Sequence, residues 1–168
     1  VKIKYPRKRV EIKGEKMSTA FGKIGADRQL QDHWIRRLIA AIIDGAIMWI
    51  VSWIISWILL FPLILSGTIF FTGFAFPFLS GILWMFYAAF TESGLGTIGK
   101  QVVHLKVTTM DGKTPSLDRT FIRNISKLHP LFWLLDVVVG MATPGDPYQK
   151  YSDRFAGTTV VSATATLA

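Results

Sequence analysis

The stretch "RRLIAAIIDGAIMWIVSWIISWILLF", residues 36–61, decides the fold: past its two arginines, only Asp44 breaks a continuous apolar run. As an α-helix, residues 38–61 would reach about 36 Å, enough to cross a hydrocarbon core of about 30 Å with some tilt. A mid-helix Asp costs about 2.5–3.5 kcal/mol on insertion scales, whereas each Leu, Ile, Val or Phe returns about 0.3–0.6 kcal/mol. The thirteen such residues between 38 and 61 outweigh the acid. Insertion therefore tolerates Asp44 without explaining it. An intramembrane acid points to a functional site with an inward-facing, paired side chain. Two roles compete for it, an ion or proton site and a structural polar clamp.

A second stretch, "TIFFTGFAFPFLSGILWMFYAAF" at residues 68–90, carries no charge and is long enough to span by the same arithmetic. Pro77, between Gly73 and Gly81, is expected to kink it. A third, "LHPLFWLLDVVVGM" at residues 128–141, is short, is entered through Pro130 and contains Asp136. Its length favours a re-entrant or interfacial helix. Extending it upstream would put Arg123, Asn124 and Lys127 into lipid. The hydrophobic fraction of 51% and mean hydropathy of +0.39 agree with a membrane class. The expected fold is an all-α integral membrane protein with two transmembrane helices, about 38–61 and 68–90, and a partial insertion near 128–141.

The net charge of +8 speaks for topology rather than nucleic acid. Eleven of the nineteen Lys and Arg residues precede Leu38, six lie between Thr91 and Lys127, and two follow. No nucleic-acid-reading module accompanies them. This asymmetry predicts a multi-pass protein of the cell membrane with a cytoplasmic N terminus. The first apolar run is too long for a signal-peptide core and is expected to stay as an anchor. With no cysteine, disulfides and thiolate metal sites are excluded.

Before the first span, "VKIKY" and "RVEIK" alternate apolar and charged residues as an edge strand or hairpin would. "STAFGKIGADRQLQDHWIRR" then leads amphipathically to the membrane, with Trp34 where an interfacial ring is expected. After the second span, Val102, Val103, Leu105 and Val107 among Thr and Lys predict a strand near residues 104–109, closed by the Asp-Gly turn of "MDGK". The β-rich "GTTVVSATATLA" is expected to pair with it, giving a small cytoplasmic β element.

Several motifs dissolve on inspection. "GLGTIG" at residues 94–99 matches G-x-G-x-x-G but follows a membrane helix rather than a strand. The near P-loop "GLGTIGKQ" has Gln101 where magnesium binding needs a hydroxyl. These glycines are read as a tight turn leaving the membrane, with Lys100 at the headgroups. His33, His104 and His129 are isolated, so no metal site is expected. No catalytic constellation and no cofactor loop is present, so an enzyme is not expected. Ser52 and Ser56 are read as helix-packing hydroxyls. Trp49, Trp53 and Trp57 recur every four residues as a stripe toward lipid or a partner helix. Arg37 and Asp44, seven apart, share a helix face about 10 Å apart along the axis. Ala41 and Gly45 leave room for another segment to approach.

Four blocks, "RRLIAAIID", "GTIGKQVVHLKVTTMDG", "FIRN" and "YSDRFAGTTVV", together resemble the RDD family of small membrane proteins. The resemblance covers about residues 34–161 and maps the family's defining Arg and two Asp onto Arg37, Asp44 and Asp153. His104 stands where Gly is common. Residues 1–33 then form a basic cytoplasmic extension and 34–168 an RDD-like membrane domain. The resemblance implies a transport role, with sodium/proton exchange among the activities proposed for the family. It also makes Asp153 and Arg154 more than a solvated pair.

Together these readings predict that "DRFAGT" folds back to the cytoplasmic mouth of the first helix. Arg37 is expected to meet Asp153, and Asp44 to meet Lys100, Arg123 or Arg154, with Asp136 completing the cluster or facing water. The expected partners are the lipid bilayer and either further copies of the chain, as a homo-oligomer, or a larger membrane protein. Two spans cannot enclose a pathway alone. The rival expectation is a non-catalytic accessory or assembly subunit whose charge cluster only locks the C-terminal segment in place.

Overall fold

The computed structural model describes residues 19–65 and 69–163. The expected N-terminal strand, the connection at Ser66 and Gly67, and the end of the β-rich tail lie outside the described residues. A short α1 (Ala20–Ile24) precedes the long α2 (Arg28–Leu65). Asp27 starts α2: its Oδ1 accepts from the backbone N–H groups of Gln29 at 2.9 Å and Leu30 at 3.1 Å. Those are two of the orphan donors at a helix N-terminus.

Along α2, Ala40, Asp44, Met48, Ser52 and Ser56 are buried at strict four-residue spacing. The stripe of Trp49, Trp53 and Trp57, about 100° round the helix from that seam, is about half exposed. Four-residue spacing drifts slowly around a helix, so five such residues form one seam. Into that seam packs α3 (Ile69–Glu92), which runs through Pro77 and returns alongside α2. Trp84 lies 3.6 Å from where a Cβ on Gly45 would stand. Among the described residues, one helix, over Arg28–Ile58, is long and apolar enough to cross a membrane.

A glycine-rich turn ends α3. Gly96 takes a φ of +91° and its N–H returns to the carbonyl of Thr91 at 2.7 Å. Thr97 then caps α4 (Ile98–Val102). His104, with a φ of +54°, is the one non-glycine with positive φ among the described residues. It sits where a glycine would be unstrained, which accounts for its standing out in the motif. β1 (Leu105–Thr109) and β2 (Thr158–Ser162) pair antiparallel from Leu105 opposite Ser162 to Thr109 opposite Thr158. Leu105, Val107 and Val160 form their small apolar core. The Asp-Gly turn follows β1 as expected, with Gly112 at a φ of +78°.

Between the strands lie α5 (Leu117–Asn124), a 3-10 turn (Ile125–Leu128), α6 (Pro130–Ala142) and α7 (Tyr151–Phe155). Leu117–Leu128 and Pro130–Ala142 meet at 113°, so residues 117–142 do not form one straight span. His129 makes the corner: its Nδ1 accepts from Leu131 N–H at 3.2 Å, and Pro130 opens α6 where a missing N–H costs nothing. The turn lies directly on α3. A Cβ on Gly81 would stand 1.9 Å from the Leu128 carbonyl oxygen, so only glycine fits there.

Candidate functional site

Where α2, α3, α4, α5 and α7 converge, the side chains are charged rather than apolar. Asp153 opens α7 and is fully buried. Its Oδ2 accepts from Arg37 Nη2 at 2.7 Å, and its Oδ1 faces Arg123 Nη2 at 3.0 Å. Burial alone would raise the Asp153 carboxyl, but Arg123, Arg37 and Lys150 together hold it well below the usual carboxylate range. Arg37 also donates to the Tyr148 carbonyl at 2.8 Å and lies over the Trp34 ring. Trp34 itself donates to the Pro147 carbonyl at 3.0 Å. The loop before α7 is thus fastened to the first turns of α2, and the expected meeting of Arg37 with Asp153 is present.

Arg123 links this pair to a second acid. Its Nε lies 3.2 Å from Glu92 Oε2 at the end of α3. The same carboxylate pairs with Lys100, accepts from Asn124 Nδ2 at 2.8 Å, and has Lys127 Nζ 3.9 Å away. Burial draws Lys100 down to about 7, against the opposing pull of Glu92 and with Arg123 and Lys127 adding repulsion. Lys100 therefore does not reach the headgroups as expected. It turns inward because Glu92 supplies the nearest acid.

A third pair sits between α6 and α7. Lys150 Nζ pairs with Asp136 and donates to the Arg123 carbonyl at 2.7 Å and Ser152 Oγ at 2.6 Å. Asp136 also accepts from Ser152 N–H at 2.6 Å and from Ser126 Oγ at 2.7 Å. Of the two alternatives for Asp136, the structure shows the buried one. Burial lowers the Lys150 ammonium against the pull of Asp153 and Asp136.

Asp44 departs from expectation. It is buried, yet its nearest donors are the Gly99 N–H at 2.8 Å and the Tyr87 hydroxyl at 3.4 Å. It forms no ion pair with Lys100, Arg123 or Arg154. Gly99 lets the start of α4 lie directly on α2, where a Cβ would stand 2.2 Å from the Ala40 carbonyl oxygen. The Gly99 peptide N–H thus lies on the carboxylate, while Lys100 and Arg123 are held by Glu92 and Asp153. Arg154 is elsewhere too. It donates to the Gly140 carbonyl at 2.6 Å and Thr143 Oγ1 at 2.8 Å, closing the carbonyl end of α6.

Of the seven residues singled out from sequence, six thus border one another and Arg154 stands apart. Glu92, Lys127 and Lys150 complete the cluster and were not picked out. Glu92 did carry a signal, since an acid in the last turn of a helix opposes the macrodipole and needs another reason to be there. Lys150 carried none. The buried acids Asp44, Glu92, Asp136 and Asp153 face four buried cations, Lys100, Arg123, Lys127 and Lys150, with the part-buried Arg37 at their edge. A cavity of about 220 Å³ opens among them, lined by Arg37, Asp44, Lys100, Arg123, Lys127 and Lys150. Among the described residues, no three His, Cys, Asp or Glu side chains are grouped to hold a metal.

A family model described as the RDD family matches residues 32–157. No curated protein and no solved structure matches the chain.

Proposed function

This chain belongs to the RDD family of membrane proteins, and from there we propose that it is a transport-related subunit, working as an oligomer, with Asp44 as its proton- or cation-binding carboxylate. One observation carries the reading. Glu92, Asp136 and Asp153 each have a cation within ion-pairing distance, whereas Asp44, equally buried, has none among the described residues and opens on the cavity. A lone buried carboxylate beside a polar cavity can take up a proton or a cation without first breaking a salt bridge.

The proposed topology has α2 and α3 as the two crossings of the cell membrane, with the basic extension at 1–33 on the cytoplasmic side. In it, α6 lies in the interface. Leu131, Phe132, Leu134 and Leu135, each about half exposed, support that placement. Two crossings leave the pathway open, so further copies supply the remaining walls. In proteoliposomes, Asp44→Asn is expected to abolish cation-coupled flux while the protein still elutes as a single species. Unchanged flux in that variant, or no flux in the wild type, would overturn the reading.

A second reading, an accessory or assembly subunit, draws on the exposed tryptophan stripe. Trp49, Trp53 and Trp57 present one large apolar ridge, with Trp53 and Trp57 edge-to-face at 5.9 Å, suited to lateral packing on a larger partner. Mild-detergent purification with mass determination separates the two. A homo-oligomer favours transport, and stoichiometric association with a larger protein favours the accessory role.

A further inference from the structure

The charge clamp does not consume all of its donors. Arg123 is 1% exposed, yet its Nη1 has no hydrogen-bond partner among the described residues. Lys127 is also buried. Among the described residues its ammonium lies 3.9 Å from Glu92 and 5.3 Å from the centre of the Trp84 ring, both longer than a hydrogen bond. Both side chains line the 220 Å³ cavity, together with Arg37, Lys100 and Lys150. A guanidinium and an ammonium, both buried and both on side chains that line the same cavity, are chemistry that selects an oxyanion, above all a phosphate group.

Size and surroundings narrow the choice. The volume equals about seven waters of liquid, well below the roughly 300–1,000 Å³ of sites for drug-sized ligands. Apart from Asn124 the remaining wall is apolar, with Trp34, Leu38, Trp133 and Val137, and Leu38 is half exposed on α2. Basic pockets between membrane helices on the cytoplasmic side are suited to phosphate headgroups.

We infer that this cavity binds one phosphate-bearing anion, either free phosphate or the headgroup of an anionic phospholipid, on Arg123 and Lys127. The inference rests on the preceding reading only in giving Asp44 a role. An acid in the same cavity repels the anion unless it is protonated, and protonated it becomes a donor to a phosphate oxygen. A proton on Asp44 and an anion on the cations then enter together, and the proton comes from water at the cytoplasmic mouth.

The test uses the full chain in phosphate-free detergent, read by thermal unfolding. One arm adds inorganic phosphate with chloride of equal ionic strength as control. The other adds phosphatidylglycerol with phosphatidylcholine as control. A saturable rise in Tm is expected in at least one arm. Phosphate alone identifies the free ion, and phosphatidylglycerol alone identifies the headgroup. Lys127→Gln should weaken the effect about tenfold, the loss of one charge-assisted hydrogen bond. Lys127→Arg should retain it and stands as the folded reference. Lys106→Gln, on β1, should leave it unchanged.

No rise beyond the controls in either arm, or an undiminished rise in folded Lys127→Gln, overturns the inference. Its failure is distinguishable from that of the transport reading. Anion binding with flux indifferent to Asp44→Asn sinks transport and leaves the site standing. Asp44-dependent cation flux with neither probe bound does the reverse.

Discussion

Glu92→Gln removes one negative charge and almost no volume, so its effect isolates electrostatics. In the wild type the carboxylate is 1% exposed and faces Lys100, Arg123 and Lys127. Arg123 keeps Asp153 at 3.0 Å, but Lys100 and Lys127 have no other acid within 4.0 Å among the described residues. Two buried lysines are left without a counter-ion, and each must stay charged and desolvated or shed its proton. Removing one partner of a buried ion pair costs about 3–5 kcal/mol, because the remaining charge stays desolvated. For a chain of this length, each kcal/mol lowers Tm by about 2–4 °C, so a drop of about 10 °C is expected. The six tryptophans give the fluorescence readout in detergent micelles. The mechanism requires non-additivity: Glu92→Gln with Lys100→Gln should recover about 1–3 kcal/mol relative to the sum of the single changes. A drop under about 1 kcal/mol, or strict additivity, would refute the assignment of Glu92 as the hub of the cluster.

Two further outcomes follow from the same geometry. Gly99→Ala places a Cβ 2.2 Å from the Ala40 carbonyl oxygen and 2.9 Å from Asp44 Cγ, whereas at Gly94 the nearest atom is 3.8 Å away. The first substitution should cost at least about 1–3 kcal/mol by overpacking and the second much less, as compared by thermal unfolding. The pH dependence turns on Lys100, which is lowered from 10.5 to about 7. Between those values the unfolded chain holds a proton the folded chain has shed, so this group makes stability rise with pH across that window. Its contribution is lost as pH falls through about 7. Lys100→Gln should flatten the Tm profile between pH 7 and 10.5, and an unchanged slope would count against the buried placement of this lysine.

What the sequence made legible was whatever leaves a periodic or charge-cost signature. The long apolar run gave α2, and β-branched residues beside Asp-Gly gave β1 and its turn. The RDD-like blocks gave the pairing of Arg37 with Asp153 across 116 positions. The partner of Asp44 was illegible for a definite reason. It is a backbone N–H, which every residue but proline owns, and Gly99 signals only that something comes close, not what. Lys150 was hidden because a lysine in a polar tail looks the same whether it meets water or the buried pocket of Asp136, Ser126 and Ser152. Arg154 misled for the opposite reason. Its adjacency to Asp153 advertised a shared role, while helical geometry points neighbouring side chains apart, and Arg154 closes the end of α6 instead.

A polar cluster, rather than an apolar core, holds the C-terminal half to the helical hairpin, and the proposed membrane setting supplies a reason. Among the described residues, the one cluster of mutually packed buried apolar side chains is Leu105, Val107 and Val160 in the β element. Within a bilayer, a leucine gains little by leaving lipid for protein, so apolar contact cannot by itself dictate which helix packs on which. Directional pairs can. Arg37 with Asp153, Arg123 with Asp153 and Glu92, and Lys150 with Asp136 each tie segments far apart in sequence. A clamp built for that purpose alone needs each acid paired with a base and no open space between them. Among the described residues this cluster has one acid without a counter-ion, Asp44, and a cavity onto which that acid opens. That imbalance is the part of the design which attachment does not account for, and it is where ligand chemistry has to be sought.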